Sequence, residues 1–184
     1  MQTVFSQRYR FLDLEGDEIT ELNLEHENDG LPEPMFSGKV KLKFSYPTTG
    51  CYPYGPARES YTYWDSWSQR HLSDLYQMKI TDFILPTPLR GRGVGTAAWS
   101  LIYRTLPLQL RGRLQLFGTL TRKDAADQEN RLRRDTFWNH VLEIEGPETR
   151  YDPGDDGEGG FRGMFVDPRT KSKRPEAVAV IELQ

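Results

Sequence analysis

The sequence predicts a mixed α/β fold of about seven mostly antiparallel strands flanked by helices, and three observations lead there. The first third is rich in short runs where aromatic, aliphatic and charged residues alternate. Residues 79–142 then read as strand, helix, strand, helix, and two further strand-like runs close the chain. No repeat and no separate linker interrupts this order, so residues 1–184 are read as one domain.

Residues 5–14 give the first strand, broken by the turn sequence Glu15-Gly16-Asp17-Glu18. Residues 19–24 give the second, and residues 28–34 a loop. Lys39-Val40-Lys41-Leu42-Lys43-Phe44 alternates cleanly, which buries one face of a strand and leaves lysines on the other. Residues 47–56 hold three prolines and two glycines and are expected to be irregular. Residues 61–77 are expected to become helical, because Trp64, Trp67, His71 and Leu75 recur at spacings of three and four. Asp65 or Ser66 would cap that helix. Residues 47–77 together look like an aromatic-rich insertion, which lines a groove or simply packs on the sheet.

Residues 79–85 read as a central strand buried on both faces. Residues 93–106 make the strongest helix: Val94, Ala97, Ala98, Leu101 and Ile102 form one apolar stripe, and Pro107 ends it. Residues 114–120 form the next strand, and residues 124–142 a second helix ended by Gly146-Pro147. Residues 151–160 read as an acidic hairpin loop, with calcium-loop composition but neither the ligand spacing nor the closing glutamate. Residues 161–166 and 177–183 are the closing strands.

Composition narrows the function classes. Hydrophobic residues at 36% and aromatics at 12% exclude an intrinsically disordered chain. The net charge of −3 gives no overall attraction to nucleic acid or anionic lipid. Arginines nevertheless crowd residues 90–134, where they attract phosphate or pair along helix faces. Cys51 is the only cysteine, which excludes an internal disulfide and a cysteine-rich zinc site. No metal site is expected. No run is apolar enough to span a bilayer, and the cytoplasm is the expected location.

The segment Arg90-Gly91-Arg92-Gly93-Val94-Gly95-Thr96 joins a strand to the strongest helix. The first amides of a helix lack partners, and the helix dipole places partial positive charge there. Glycines let backbone approach an anion closely, so three at alternate positions can aim several amides at one phosphate. Arg90 and Arg92 can add charge. A Walker loop is excluded, since the segment has no lysine. The dinucleotide fingerprint fails at Thr96, where it needs a third glycine.

Arg90-Gly91-Arg92-Gly93-Val94-Gly95 matches the arginine-or-glutamine, two residues, glycine, one residue, glycine-or-alanine pattern of the GNAT superfamily of N-acetyltransferases. The surroundings resemble that family too. A hydrophobic strand precedes the turn, an alanine-rich helix and another strand follow, and Asn130 opens a helix with Phe137 and Trp138 seven and eight residues on. The resemblance covers residues 79–142, which would be the cofactor-binding core.

It implies a splayed sheet with acetyl-coenzyme A, or another acyl-coenzyme A, wedged where the strands flanking the first helix part. Amides of Gly91, Arg92, Gly93, Val94, Gly95 and Thr96 would bind the pyrophosphate. Backbone groups of Ile84 and Leu85 would meet the pantetheine and the thioester carbonyl, and Asn130 would face the same arm. The acceptor would be a small-molecule, protein or peptide amine; nucleic acid is not favoured by the acidic total, and a homodimer is left open.

Three departures stand out. Family enzymes often carry a tyrosine where Phe137 stands, so the proton donor to the departing thiolate would have to be another residue, such as Tyr103 or Tyr151. The two helices that the family places between its first strands are replaced by a short turn. The run before Arg90 is one residue longer than the common pattern. Asp82, Glu59 and His71 are candidate bases, with strand-end and helix-surface roles as the blander readings of Asp82 and His71. The alternative is a non-catalytic acyl-coenzyme A-binding or regulatory module on the same fold.

Overall fold

A computed structural model describes residues 1–52, 55–81, 83–172 and 178–184. Strands β1 (Gln2–Leu12), β2 (Glu18–Asn28), β3 (Ser37–Tyr52) and β4 (Gly55–Gln69) form an antiparallel meander. β5 (Tyr76–Ile80) adds antiparallel to β4. The chain then crosses through α1 (Val94–Thr105) to β6 (Leu114–Leu120), which lies parallel to β5. α2 (Gln128–Val141) leads to β7 (Leu142–Glu143), β8 (Arg150–Asp152) and β9 (Gly159–Phe165), and β10 (Ala179–Leu183) returns to β1. The result is an α+β fold with one large sheet, ordered β10-β1-β2-β3-β4-β5-β6-β9-β7, with β8 also on β9.

Ten strands stand among the described residues where about seven were expected, the additions being β4, β7 and β8. β4 is the instructive one, since a helix was expected over part of it. Its residues alternate with period two: Tyr63, Asp65 and Trp67 are buried while Thr62, Trp64, Ser66 and Ser68 are exposed. Trp64 and Trp67 therefore lie on opposite faces, and aromatic and hydroxyl side chains suit a pleated surface. Residues 47–77 take in the end of β3, all of β4 and the start of β5, and no helix stands among their described residues. Pro47 pairs with Arg58 inside that hairpin. Because β2 pairs with β3 only as far as Ser45, the far edge of β3 at Pro47 needs no amide donor.

Both helices cover the same face of the sheet. Val40, Leu42 and Phe44 of β3 are fully buried on that face, and Lys39, Lys41 and Lys43 stand on the other. Lys39 and Lys41 pair there with Glu27 at 3.5 Å and Glu25 at 3.3 Å. The expected stripe of α1 is buried except for Leu101, and Trp99 takes its place at the centre of the core. The Trp99 ring packs edge-on against Phe83, Trp138 and Phe165, with centroids 5.4 to 5.7 Å away.

β5 is shorter than the expected strand and ends at Ile80. Residues 83–86 have no regular structure. The cause lies on β4. The Asp65 carboxylate accepts the Thr81 N–H at 3.0 Å and the Thr81 hydroxyl at 2.8 Å, in place of a ladder bond. This contact pulls the chain away from β6.

Candidate phosphate turn and strand wedge

A short 3-10 turn, Thr87–Leu89, follows residues 83–86, and the Arg90 N–H donates to the Thr87 carbonyl at 3.2 Å. Gly91 and Gly93 then take positive φ angles of 67° and 80°, a region costly for other residues. Gly93 caps α1 with no side chain to offer its amides, and the first bond across the helix start is Ala97 N–H to the Gly93 carbonyl at 3.0 Å. Among the described residues, no acceptor takes the amides of residues 91–96. Six consecutive donors thus stand at the positive end of a three-turn helix.

The arginines of the turn face elsewhere. Arg90 donates its Nε to the Leu85 carbonyl, and Arg92 reaches Asp13 at 3.5 Å. The guanidinium beside the turn comes from α2 instead: Arg133 Nη1 lies 3.9 Å from where a Cβ on Gly91 would stand. Arg133 also pairs with Glu129 at 2.7 Å. Its placement three residues after Asn130 and one turn before Phe137 was the available sequence signal.

β5 and β6 run in register from Tyr76 opposite Leu114 to Ile80 opposite Gly118, and then part. Beyond that point Thr119 and Leu120 pair with β9 alone. Phe83 and Phe137 stack in the resulting wedge, with centroids 5.7 Å apart. Gly95 of α1 completes the contact, since a Cβ there would lie 3.3 Å from the Phe137 ring and 3.4 Å from Leu85 Cδ1. The wedge is closed by aromatic side chains.

The sequence-predicted residues distribute unevenly around it. The Ile84 N–H donates to the Tyr61 hydroxyl at 3.2 Å, and the Leu85 N–H has no acceptor among the described residues. Asn130 is turned toward the start of α2: its N–H and its side-chain amide both donate to the Asp127 carboxylate, at 2.7 and 2.8 Å. Asp127 thereby caps α2, and the Asn130 side chain is engaged in that cap. His71 is exposed in the turn between β4 and β5 rather than on a helix. Five residues of β5, about 16 Å of strand, separate that turn from the wedge, so the structure does not bring His71 to it. Asp82 lies outside the described residues. Glu59 accepts the Tyr46 hydroxyl at 3.1 Å.

Tyr151 donates to Asp135 at 2.6 Å, and burial followed by that carboxylate pushes its hydroxyl far up. Tyr103 packs edge-on against Phe165. Two phenols reach the wedge from β4: Tyr61 accepts the Ile84 N–H, and Tyr63 packs edge-on against Phe83 with centroids 5.1 Å apart. The α2 arginines are largely spent on the acidic loop of residues 152–158. Arg131 donates to the carbonyls of Gly154 and Asp155 and Arg134 to that of Gly157, while Arg122, in the 3-10 turn before α2, pairs with Asp156. No cluster of metal-ligating side chains stands among the described residues, and no described helix is long and apolar enough to cross a membrane.

Comparison with known proteins finds no matching family model, no matching curated protein and no matching solved structure. The functional reading therefore rests on the geometry of the turn and the wedge.

Proposed function

We propose that the protein is an acyl-coenzyme A-dependent N-acyltransferase that moves an acetyl group to a primary amine. The observation that carries this reading is the row of unpartnered amides at residues 91–96, between the end of β5 and the first turn of α1 in the parallel β5–α1–β6 crossover. Such a row suits a pyrophosphate, and Arg133 stands beside it. The Leu85 N–H is free for an amide-bearing arm, and the Ile84 N–H can polarise an acyl carbonyl in place of its bond to Tyr61. Bound acetyl-coenzyme A would supply an activated acyl group whose thiolate leaves readily. Phe83 and Phe137 must separate to admit the arm.

The test is thermal melting with acetyl-coenzyme A. At a hundredfold excess over its dissociation constant a ligand adds about 2.7 kcal/mol of stability. For a chain of this size that is a rise of roughly 5–10 °C. No rise with acetyl- or longer acyl-coenzyme A would overturn the reading.

A second reading, a binding or regulatory module without transfer, draws on Phe137 at the wedge and on Tyr151 held by Asp135. Melting protection without thioester cleavage across a broad amine panel would favour it, and turnover on any amine would remove it.

A further inference from the structure

On the acyl-transfer reading above, we infer that the cleft between β4 and the departing end of β5 is the acceptor pocket, and that it takes a primary ammonium whose far end carries an acidic group. β4 and β5 pair only from Trp67 opposite Met78 to Gln69 opposite Tyr76. Beyond that pairing a cleft of about 540 Å³ opens, lined among others by Tyr61, Tyr63, Trp64, Asp65, Lys79 and Thr81. That volume is in the range of small-molecule sites.

Asp65 decides the sign of the leading group. It is only 3% exposed, yet no lysine or arginine among the described residues pairs with it. A buried carboxylate without a cation is unusual, because removing a charge from water is costly. Oδ2 accepts the Tyr63 hydroxyl at 2.6 Å and the Thr81 N–H, while Oδ1 accepts only the Thr81 hydroxyl. A carboxylate offers about four acceptor positions, so Oδ1 keeps one for a further donor. The rings of Tyr61 and Tyr63 line the same side of the cleft and suit a cation as well, while Trp64 stands at its exposed mouth.

The rim has the opposite sign. Lys79 carries it: the side chain is exposed and has no ion pair among the described residues, whereas Lys39, 5.0 Å over the Trp64 ring, is already paired with Glu27. An anionic floor beneath a cationic rim matches an ammonium that enters first and an acid that trails. The cleft also adjoins the wedge, because Tyr61 lines it while accepting the Ile84 N–H.

Trp64 reports occupancy, being 54% exposed while Trp67, Trp99 and Trp138 are buried. Acrylamide quenching is followed while 6-aminohexanoate, hexylamine and hexanoate are titrated without acyl-coenzyme A. The expected order is 6-aminohexanoate tightest, hexylamine weaker and hexanoate silent. Lys79→Gln should weaken 6-aminohexanoate about threefold and spare hexylamine, as fits an exposed ion pair. Asp65→Asn should weaken both amines at least about tenfold. If Asp65→Asn does not fold, the Lys79→Gln comparison carries the test, since that side chain is exposed. Equal binding of hexanoate and hexylamine, or no protection of Trp64 by any probe, would overturn the inference. Because acyl-coenzyme A is left out, such a failure leaves its melting rise intact, and loss of that rise leaves the amine titration intact.

Discussion

Phe137 of α2 stacks on Phe83 with ring planes 23° apart, at the point where β5 and β6 cease to pair. One aromatic pair thereby closes the wedge that the acyl-transfer reading needs open. The half-buried ring of Phe137 also covers Gly95 and packs near Trp99. Phe137→Ala should cost about 2 kcal/mol, below the range for a fully buried ring. The same variant should show a larger melting rise with acetyl-coenzyme A than the parent, because nothing must be displaced. Urea denaturation and melting with ligand check the two halves separately. A variant as stable as the parent would mean the ring contributes nothing to closure.

Gly93 allows a second prediction. Its φ of 80° makes any side chain costly, so Gly93→Ala should lose about 1 kcal/mol, or roughly 2–4 °C. Gly93→Asp adds a carboxylate beside the unpartnered amides. It should abolish the melting rise with acetyl-coenzyme A, while Gly93→Ala retains part of it. Equal protection of both variants would place the pyrophosphate elsewhere.

Stability should depend on pH through His26, which is buried beneath α1. The Thr105 hydroxyl donates its one proton to the Leu101 carbonyl at 2.7 Å, so His26 Nε2–H is the donor in its 2.7 Å contact with Thr105. Nδ1 has no partner, and burial lowers the pKa from 6.5 to about 4. The unfolded chain therefore binds a proton that the folded chain refuses. This contribution is complete above pH 6.5, falls as pH drops toward 4, and amounts to about 3 kcal/mol. Urea titrations at pH 7.5 and 4.5 should show the drop in the parent and a smaller one in His26→Gln.

Much of the fold was legible because its signals are local. The stripe on α1 with Pro107 behind it, the lysine alternation of β3 and the Glu15-Gly16 turn all stand where the sequence puts them. β4 was missed because two tryptophans three apart mimic a helical face, although Tyr63, Asp65 and Trp67 alternate with the exposed residues between them. The early end of β5 was not legible at all. It depends on Asp65 meeting Thr81 across the sheet, sixteen residues away, which no window of sequence reveals. The turn glycines were found by spacing. Arg133 and Tyr61, by contrast, reach the site only through tertiary packing.

Asp167 ties the last 3-10 turn, Pro168–Thr170, to α1. Burial alone would push its carboxyl up, but the Ser100 hydroxyl at 2.6 Å, Arg104 at 3.0 Å and the Arg169 N–H together hold it below its usual value. Asp167→Asn should cost about 1–3 kcal/mol at neutral pH. Ser100→Ala should cost about 1 kcal/mol, and the double variant less than the sum, because the two side chains share one contact. Denaturation midpoints of the three variants check this, and strict additivity would contradict it.

The proposed function places the pyrophosphate of an acyl-coenzyme A on the amides of residues 91–96. It is tested most directly by titrating acetyl-coenzyme A into the 15N-labelled protein and following each amide resonance. The largest shifts are expected at Gly91, Gly93, Gly95 and Thr96, with smaller ones at Leu85. Binding that moves other amides and leaves these four in place would contradict it.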